Sequence, residues 1–368
     1  MGYPRLEINV RKMAYNAAVE VKSLAKLGVK VMGVNKVFNG NYDTAEALVK
    51  GGIDTVAESR VYNLKKIKDL PCKKCLLRSP CMSEIDDAVR YADISLNSEI
   101  EVIRALSKEA VRQNKVHEII FMVDMGDIRE GIWFQNYDEI RDVLREVLTL
   151  PNIKIYGLGT NFNCYGTAMP TVENGNLFLQ LAKRLEDELH THFEYLSAGN
   201  CTSYHLIDKG IWPAGLNHLR IGGLHQYGIE YVDGKYLDEY YHSSMDVNRY
   251  VSDLYIYKAE IIECNTKPTV PFGKLGVDAF LQSKHFDDRG PRKRALLAFG
   301  AQDIPYANIW PIDQKISILG QTSDHTIIDI EDCDKIYRVG DIIPFEIDYT
   351  ALLAACNSPG IEKVSVRD

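Results

Sequence analysis

Val31-Met-Gly-Val-Asn-Lys-Val-Phe-Asn-Gly40 is a β-rich run that stops at a lysine, followed by a loop of Asn and Gly and then a helical pattern. A charged amine at the carboxyl end of a buried strand is costly to bury. Lys36 either snorkels to water along its own apolar stem, or is an amine kept reactive by partial burial and able to form a Schiff base. The surrounding chain has to decide between these.

Outward from this stretch the same unit recurs. Strand-like runs at 29–35, 53–56, 75–78, 93–96, 118–124, 153–158, 193–197 and 218–221 alternate with segments of helical periodicity. Alternating β and α with short loops argues for a parallel sheet. Eight such units in about 200 residues match the count and size of a (β/α)8 TIM barrel. A doubly wound open sheet is the competing architecture, but no GxGxxG follows a first strand. Beyond about residue 235 the helical period fades. Alternating runs at 253–263, 294–299, 315–319, 326–330 and 341–347, separated by turns such as Val339-Gly-Asp341, predict a C-terminal all-β domain. The expected domains are therefore 1–235, the barrel, and 236–368, the β domain, with the short first strand at 6–10 able to pair with the latter.

Composition narrows the function. A net charge of −8 and a pI of about 5.7 argue against nucleic acid as a partner. No apolar run is long enough for a membrane span, and the N-terminal residues lack a signal-peptide pattern. Eight cysteines show no disulfide-framework spacing, so reduced thiols and a cytoplasmic location are expected. Cys72-Lys-Lys-Cys75 has no second ligand pair at finger spacing and precedes an apolar strand, so no metal is expected.

Barrels of this kind carry their chemistry at the carboxyl ends of the strands. Lys36 follows the first strand, Arg78 the third, Arg129 the fifth and Asn161 the sixth. Ser197-Ala-Gly-Asn-Cys-Thr-Ser203 follows the seventh and Arg220-Ile-Gly-Gly223 the eighth. Small residues and hydroxyls running into a helix, opposite a Gly-Gly turn, read as a phosphate cradle. A reactive lysine, a phosphate site and arginines between them suggest pyridoxal 5'-phosphate.

At these residues the sequence resembles the alanine racemase superfamily, pyridoxal-phosphate enzymes of fold type III, and within it the ornithine racemases. The matching stretches are Val123-Asp-Met-Gly-Asp-Ile-Arg-Glu-Gly131, Asn163-Cys-Tyr-Gly166, Ser197-Ala-Gly-Asn200, Leu206-Ile-Asp-Lys-Gly210, Gly276-Val-Asp-Ala-Phe280, Arg292-Lys-Arg-Ala295, Ser323-Asp-His325 and Asp348-Tyr-Thr-Ala-Leu-Leu353. The resemblance implies an isomerase that racemises a basic amino acid, ornithine foremost, by proton transfer at Cα on two faces. It implies that Lys36 holds the cofactor and serves as one acid/base. Arg129 would meet the cofactor's phenolic oxygen and the substrate carboxylate, and Arg220 the pyridine nitrogen. Asn200, Cys201, Thr202, Gly222, Gly223 and Tyr349 would hold the phosphate end. A homodimer with shared active sites is also implied.

Three positions depart from that pattern. Gly40 stands where alanine racemases carry a phosphate-binding tyrosine, Asn161 where a ring-packing histidine is common, and Phe272 where the second base is a tyrosine. Asp278 is then the candidate for the second acid/base, with Tyr165 and Cys164 as alternatives. A cationic substrate side chain wants a carboxylate, for which Asp278, Asp303, Ser323 and Asp324 are the candidate region. Racemases of alanine, lysine or serine, a decarboxylase, and a non-catalytic cofactor carrier are the other readings. An arginine on the pyridine nitrogen speaks against the decarboxylase.

Overall fold

Strand β1 (Arg5–Asn9) runs directly into helix α1 (Val10–Ala25) in the computed structural model, which describes residues 2–228, 231–232, 235–236 and 250–367. The chain continues through β2 (Lys30–Val34), α2 (Tyr42–Lys50), β3 (Thr55–Glu58), α3 (Val61–Lys66), β4 (Lys73–Leu76), α4 (Ile85–Tyr91), β5 (Ile94–Asn97) and α5 (Ile100–Arg112). Next come β6 (His117–Asp124), the short β7 (Ile132–Trp133), α6 (Tyr137–Val147), β8 (Ile153–Thr160), α7 (Val172–Leu189), β9 (Tyr195–Ala198), α8 (Tyr204–Asp208), β10 (His218–Ile221) and α9 (Gly223–Tyr227). All eight expected strands are present, and they pair in the order β5-β4-β3-β2-β10-β9-β8-β6. A further β5–β6 pairing closes them into a parallel barrel.

The period of two along each strand sorts the side chains. In β6, Ile119, Phe121 and Val123 pack outward with Ile103, Ile140, Leu144, Phe178 and Leu185 of the surrounding helices. Ile120 and Met122 point inward to Met32, Ala57, Cys75, Ile94, Leu96, Tyr156 and Tyr195. The interior is thus a packed core, not a channel. At the amino-terminal mouth Lys73 pairs with Glu118 at 2.6 Å, and Lys154 bridges Glu118 and Glu194 at 3.3 and 3.7 Å. The helices begin where the sequence supplies caps: Asn41 Oδ1 accepts Thr44 N at 3.0 Å, and Thr171 forms a capping box with Asn174.

The second unit contains β13 (Tyr255–Pro268), β14 (Pro291–Leu297), β15 (Ile309–Pro311), β16 (Ser317–Gln321), β17 (Thr326–Asp329), β18 (Ile342–Ile347), α10 (Tyr349–Asn357) and β19 (Glu362–Val366); two-residue strands β11 (Tyr231–Val232) and β12 (Lys235–Tyr236) precede it. Its strands lie in the order β15-β18-β13-β14-β17-β16. Strand β1 joins it, antiparallel to β13 and parallel to β19. Compact packing therefore groups Met1–Asn9 with Tyr255–Asp368 and leaves Val10–Leu254 as the barrel unit. The expected boundary at 235/236 lies upstream of this division, whose edge follows Val251, bonded through its N and O to the Asn16 side chain of α1 at 2.8 Å each. Residues 237–249, beside that boundary, lie outside the described residues.

The C-terminal unit is mostly β, not all β. Asp348 caps α10 by accepting Ala351 N at 2.9 Å, and Ala351, Leu352, Ala355 and Cys356 are buried. An apolar run rich in Ala and Leu carries little amphipathic period, so its helix was hidden from a reading based on alternation.

At Gly157 the neighbouring strand leaves no room for a side chain. A Cβ there would lie 2.0 Å from the Tyr195 carbonyl oxygen of the neighbouring strand. Gly157→Ala should lower unfolding free energy by about 1–3 kcal/mol or more, measured by urea denaturation.

Candidate active site

Lys36 opens a single 3-10 turn, Lys36–Phe38, immediately beyond β2. Val37 and Phe38 are buried and anchor the turn, while Lys36 is exposed at the carboxyl end of the barrel. Asn35, just before it, is fully buried. Its Nδ2 donates to Glu58 Oε1 at 2.8 Å, and its Oδ1 accepts Thr44 Oγ1 at 2.9 Å.

Arg220 lies inside the barrel on β10, beside Met32 of β2 in the parallel register. Its Nη2 donates to Thr160 O at 2.7 Å and Asn161 Oδ1 at 2.8 Å, and its Nη1 to the Ser197 carbonyl and hydroxyl oxygens. Nε makes none of these bonds. Gly159 keeps the interior beside the guanidinium free, since a Cβ there would lie 2.6 Å from Ile120 and 2.8 Å from Met122. Burial lowers the Arg220 pKa to about 10, against the opposing charge of Glu130, so it stays cationic at neutral pH. Ser197 Oγ also bonds His218 Nδ1 at 2.8 Å. Burial, and then the Arg220 charge, push His218 down to about 3, so it is neutral.

A polar chain runs from Arg220 to the rim. Asn161 donates from Nδ2 to Glu130 Oε1 at 2.8 Å, and Glu130 takes two short hydrogen bonds from Arg129. The network fixes the Asn161 amide, with Oδ1 toward one arginine and Nδ2 toward the carboxylate of the other. Burial works against the charge on Arg129, but the Glu130 hydrogen bonds outweigh it and hold the guanidinium above its ordinary value. Arg129 Nη1 also reaches Cys164 Sγ at 2.7 Å. Two aspartates shape the loops: Asp124 Oδ1 accepts Gly126 N and Ile128 N, and Asp127 accepts Cys164 N at 3.0 Å and Tyr165 N at 3.2 Å.

The two loops read as a phosphate cradle come together. Gly222 N and Gly223 N both donate to Cys201 Sγ, at 3.1 and 2.8 Å. Asn200 Oδ1 accepts Thr202 N and Thr202 Oγ1, while its Nδ2 donates to Phe162 O. Two backbone N–H groups converging on one acceptor form a donor set that suits a phosphate oxygen equally well. The cradle is tied to the lysine strand. Val34 O accepts Gln226 Nε2 at 2.6 Å and lies 3.3 Å from His225 Nε2, and His225 Nδ1 lies 3.1 Å from buried Glu20.

Lys36, Arg129, Asn161, Asn200, Cys201, Thr202, Arg220, Gly222 and Gly223 all belong to the barrel unit. Asp278, Asp303, Ser323, Asp324 and Tyr349 belong to the C-terminal unit. Asp278 Oδ1 accepts Phe280 N and Gln282 N, and Oδ2 pairs with Lys284 at 3.2 Å. Backbone hydrogen bonding from Gln282 leads the effects that hold its pKa below the carboxylate range. Buried Asp303 accepts Ser358 Oγ at 2.7 Å and Gly300 N at 3.3 Å. Ser323 Oγ donates to Asp324 Oδ1 in an exposed turn, and Tyr349 is partly exposed at the start of α10. Phe272 is fully exposed. Arg78 is paired with Glu84 at 3.2 Å.

Sequence reading passed over Glu130, Glu58 and Asn35. Each had a signal: an acid beside Arg129, and polar residues closing otherwise apolar buried strands. Among the described residues no group of His, Cys, Asp and Glu could hold a metal. Cys75 faces the barrel interior, where burial pushes its thiol up to about 12. No described helix is long and apolar enough to cross a membrane.

Residues 8–229 match the family model of the alanine racemase N-terminal domain. Over 361 residues the chain is 40% identical to the ornithine racemase of Acetoanaerobium sticklandii, covering 98% of this chain and 99% of that one. It is 34% identical to the lysine racemase of Thermotoga maritima over 366 residues, covering 99% of each. Among solved structures, alanine racemase of Clostridium difficile superposes with a TM-score of 0.77 at 17% identity, covering 100% of this chain and 97% of that one. Alanine racemase from Bartonella henselae, with covalently bound pyridoxal phosphate, gives 0.72 at 16% identity, with full coverage of both. At such identities the likeness establishes the shared fold.

Replacing Arg220 by Met should cost about 3–5 kcal/mol, because Thr160 O, Ser197 and Asn161 lose their donor and Glu130 loses a countercharge. Urea denaturation reads this directly. Neutral His218 adds a pH dependence. The unfolded state binds its proton first, so its stabilising share is full above about pH 6.5 and is lost as pH falls toward about 3. His218→Asn should flatten the acid limb of the stability profile.

Proposed function

The chain belongs to the alanine racemase family of pyridoxal-phosphate enzymes, and on that ground we propose that it interconverts the L and D forms of a basic amino acid, with ornithine the first candidate. Whole-length similarity to an ornithine and a lysine racemase supports this substrate class. The observation that carries the reading is the pairing of β2 with β10. It sets Lys36, just beyond one strand, next to the strand whose interior holds Arg220.

The residues fit pyridoxal phosphate. Lys36 would hold it, with Arg220 Nε at the ring nitrogen and the N–H groups of Gly222 and Gly223, with Asn200, Cys201 and Thr202, at the phosphate. When bound, the cofactor supplies an aldehyde carbon for amines and a ring that accepts electron density from the substrate's Cα. Arg220 would donate to the ring nitrogen without releasing its proton, which would leave that nitrogen unprotonated and the electron sink weak. Proton return to Cα is then favoured over slower side reactions. Arg129 orients the substrate carboxylate, with its own position set by Glu130. Lys36 Nζ takes and returns the Cα proton on one face.

The opposite face needs its own proton carrier. Asp278 is proposed for it, acting from the C-terminal unit of a second copy in a cytoplasmic homodimer. Its lowered pKa keeps it ionised and so open to a proton, while weakening it as a base. Asp303, Ser323 and Asp324 are the proposed region for the cationic side chain, and Tyr349 the proposed phosphate contact from that unit.

Purified protein should show the visible absorbance of a lysine-bound cofactor, and Lys36→Ala should abolish it. Protein that takes up no pyridoxal phosphate would refute the reading. In a chiral assay across the standard amino acids and ornithine, turnover should be highest with ornithine or lysine. Asp278→Asn should lower kcat by about 10²–10⁴-fold if it carries the second proton, and an unchanged kcat removes it from that role.

A further inference from the structure

We propose that Glu58 is the positioning residue of the Lys36 loop: its buried carboxylate ties both ends of segment 35–40 to the end of β3 and to α3, and so sets where the amine stands. This rests on the reading of Lys36 as the cofactor lysine.

Glu58 is the last residue of β3 and has no exposed surface. Enclosed in this way it cannot touch a substrate, so it is not a catalytic residue. Its surroundings are donors. Asn35 Nδ2 bonds Oε1 at 2.8 Å and Asn63 Nδ2 bonds Oε2 at 3.1 Å, while the Gly40 backbone N–H is turned toward the carboxylate. The first residue of the loop that carries Lys36 is thus bonded to Glu58 directly, and the last, Gly40, rests on Asn63, which Glu58 holds. Burial pushes Glu58 up to about 7, with the Asn35 and Asn63 bonds acting against that rise.

The grip on Asn35 reaches the lysine through the backbone. Asn35 O accepts Phe38 N at 3.0 Å, the bond that folds the turn starting at Lys36. Thr44 Oγ1 holds the other end of the Asn35 amide, so its orientation is fixed from both sides. Asn63 shows how strongly the carboxylate directs its neighbours. Its NH2 is committed to Glu58 while its buried Oδ1 has no partner among the described residues. Helix α3 adds a second hold, because Lys66 Nζ donates to Asn39 O at 2.7 Å.

Gly40 completes the clamp. Its φ is +70°, and a Cβ would lie 2.8 Å from Asn63 O and 2.9 Å from Asn63 Cα. Only glycine lets the loop lie flat on α3. This accounts for the absence of the tyrosine that the family resemblance leads one to expect there. A side chain at 40 is incompatible with the backbone contact that the Glu58 clamp requires. The lysine loop is held from beneath, by a carboxylate and a helix.

Glu58→Gln in the holoenzyme keeps the side chain's size but turns one acceptor oxygen into an NH2 facing donors. A displaced amine should lower kcat about 10–100-fold, leave KM within about twofold, and shift the pH midpoint of the visible band of the lysine-bound cofactor. If Glu58→Gln fails to fold by circular dichroism, Thr44→Val leaves the carboxylate intact and releases the Asn35 amide together with one bond to the Asn41 carbonyl. It should move the same readouts in the same direction. A wild-type midpoint and kcat in the folded variant would overturn the proposal. Reductive methylation of Lys36 in cofactor-free protein, followed by peptide mass, compares amine accessibility without pyridoxal phosphate. An unchanged rate there counts equally against Glu58. A visible band that survives Lys36→Ala refutes the cofactor-lysine reading instead, so the two failures are distinguishable.

Discussion

A guanidinium enclosed in a parallel barrel is the constraint from which the mouth of this molecule is built. Arg220 cannot shed its charge, so it needs acceptors on every side that water cannot reach. The acceptors come from the ends of two neighbouring strands and the loops they enter: Thr160, Asn161 and Ser197. Those strands must end level with β10, and Gly159 must carry no side chain, or Ile120 and Met122 of the interior beside the arginine are displaced. The nearest countercharge, Glu130, is reached through the Asn161 amide, and the same carboxylate holds Arg129 at the rim. One buried cation thereby sets strand ends, loop conformations and the position of a second cation.

The lysine side of the mouth is built around a buried anion. Glu58 gathers Asn35, Gly40 and Asn63, and the turn carrying Lys36 rests on them. Between the two sides, Val34 O accepts from Gln226, three residues past the end of the Gly222-Gly223 turn, with His225 and Glu20 stacked behind. The Gly222-Gly223 turn and the lysine strand are consequently one hydrogen-bonded body. Preorganisation of this kind keeps reacting groups in register without loss of binding energy to ordering.

Much of this was legible beforehand, for a physical reason. Strands buried on both faces read as apolar runs, and helices as amphipathic periods. Polar residues at strand ends stand out against such runs, which is why Lys36, Arg129 and Arg220 could be singled out. What escaped detection had weaker local signals. Helix α10 is too apolar to show a period. Glu58 and Asn35 look like ordinary strand-end residues until the fold shows that no water reaches them. The place of β1 among β13 and β19 depends on contacts more than 240 residues apart, which alternation alone can suggest but not fix.

By itself, then, the sequence determined the repeating β/α order, the lysine beyond the first barrel strand and the glycine-rich loops beyond the last two. Each of these is written in local propensity and period. Tertiary structure alone decided how the charges are compensated. Hydrogen bonds such as Arg220 to Asn161 and Asn35 to Glu58 join residues far apart in the chain, and their strength comes from exclusion of water, which only the folded barrel provides. The same holds for Gly40. Its sequence neighbourhood shows a turn, but the reason it must be glycine is the backbone of Asn63 lying against it.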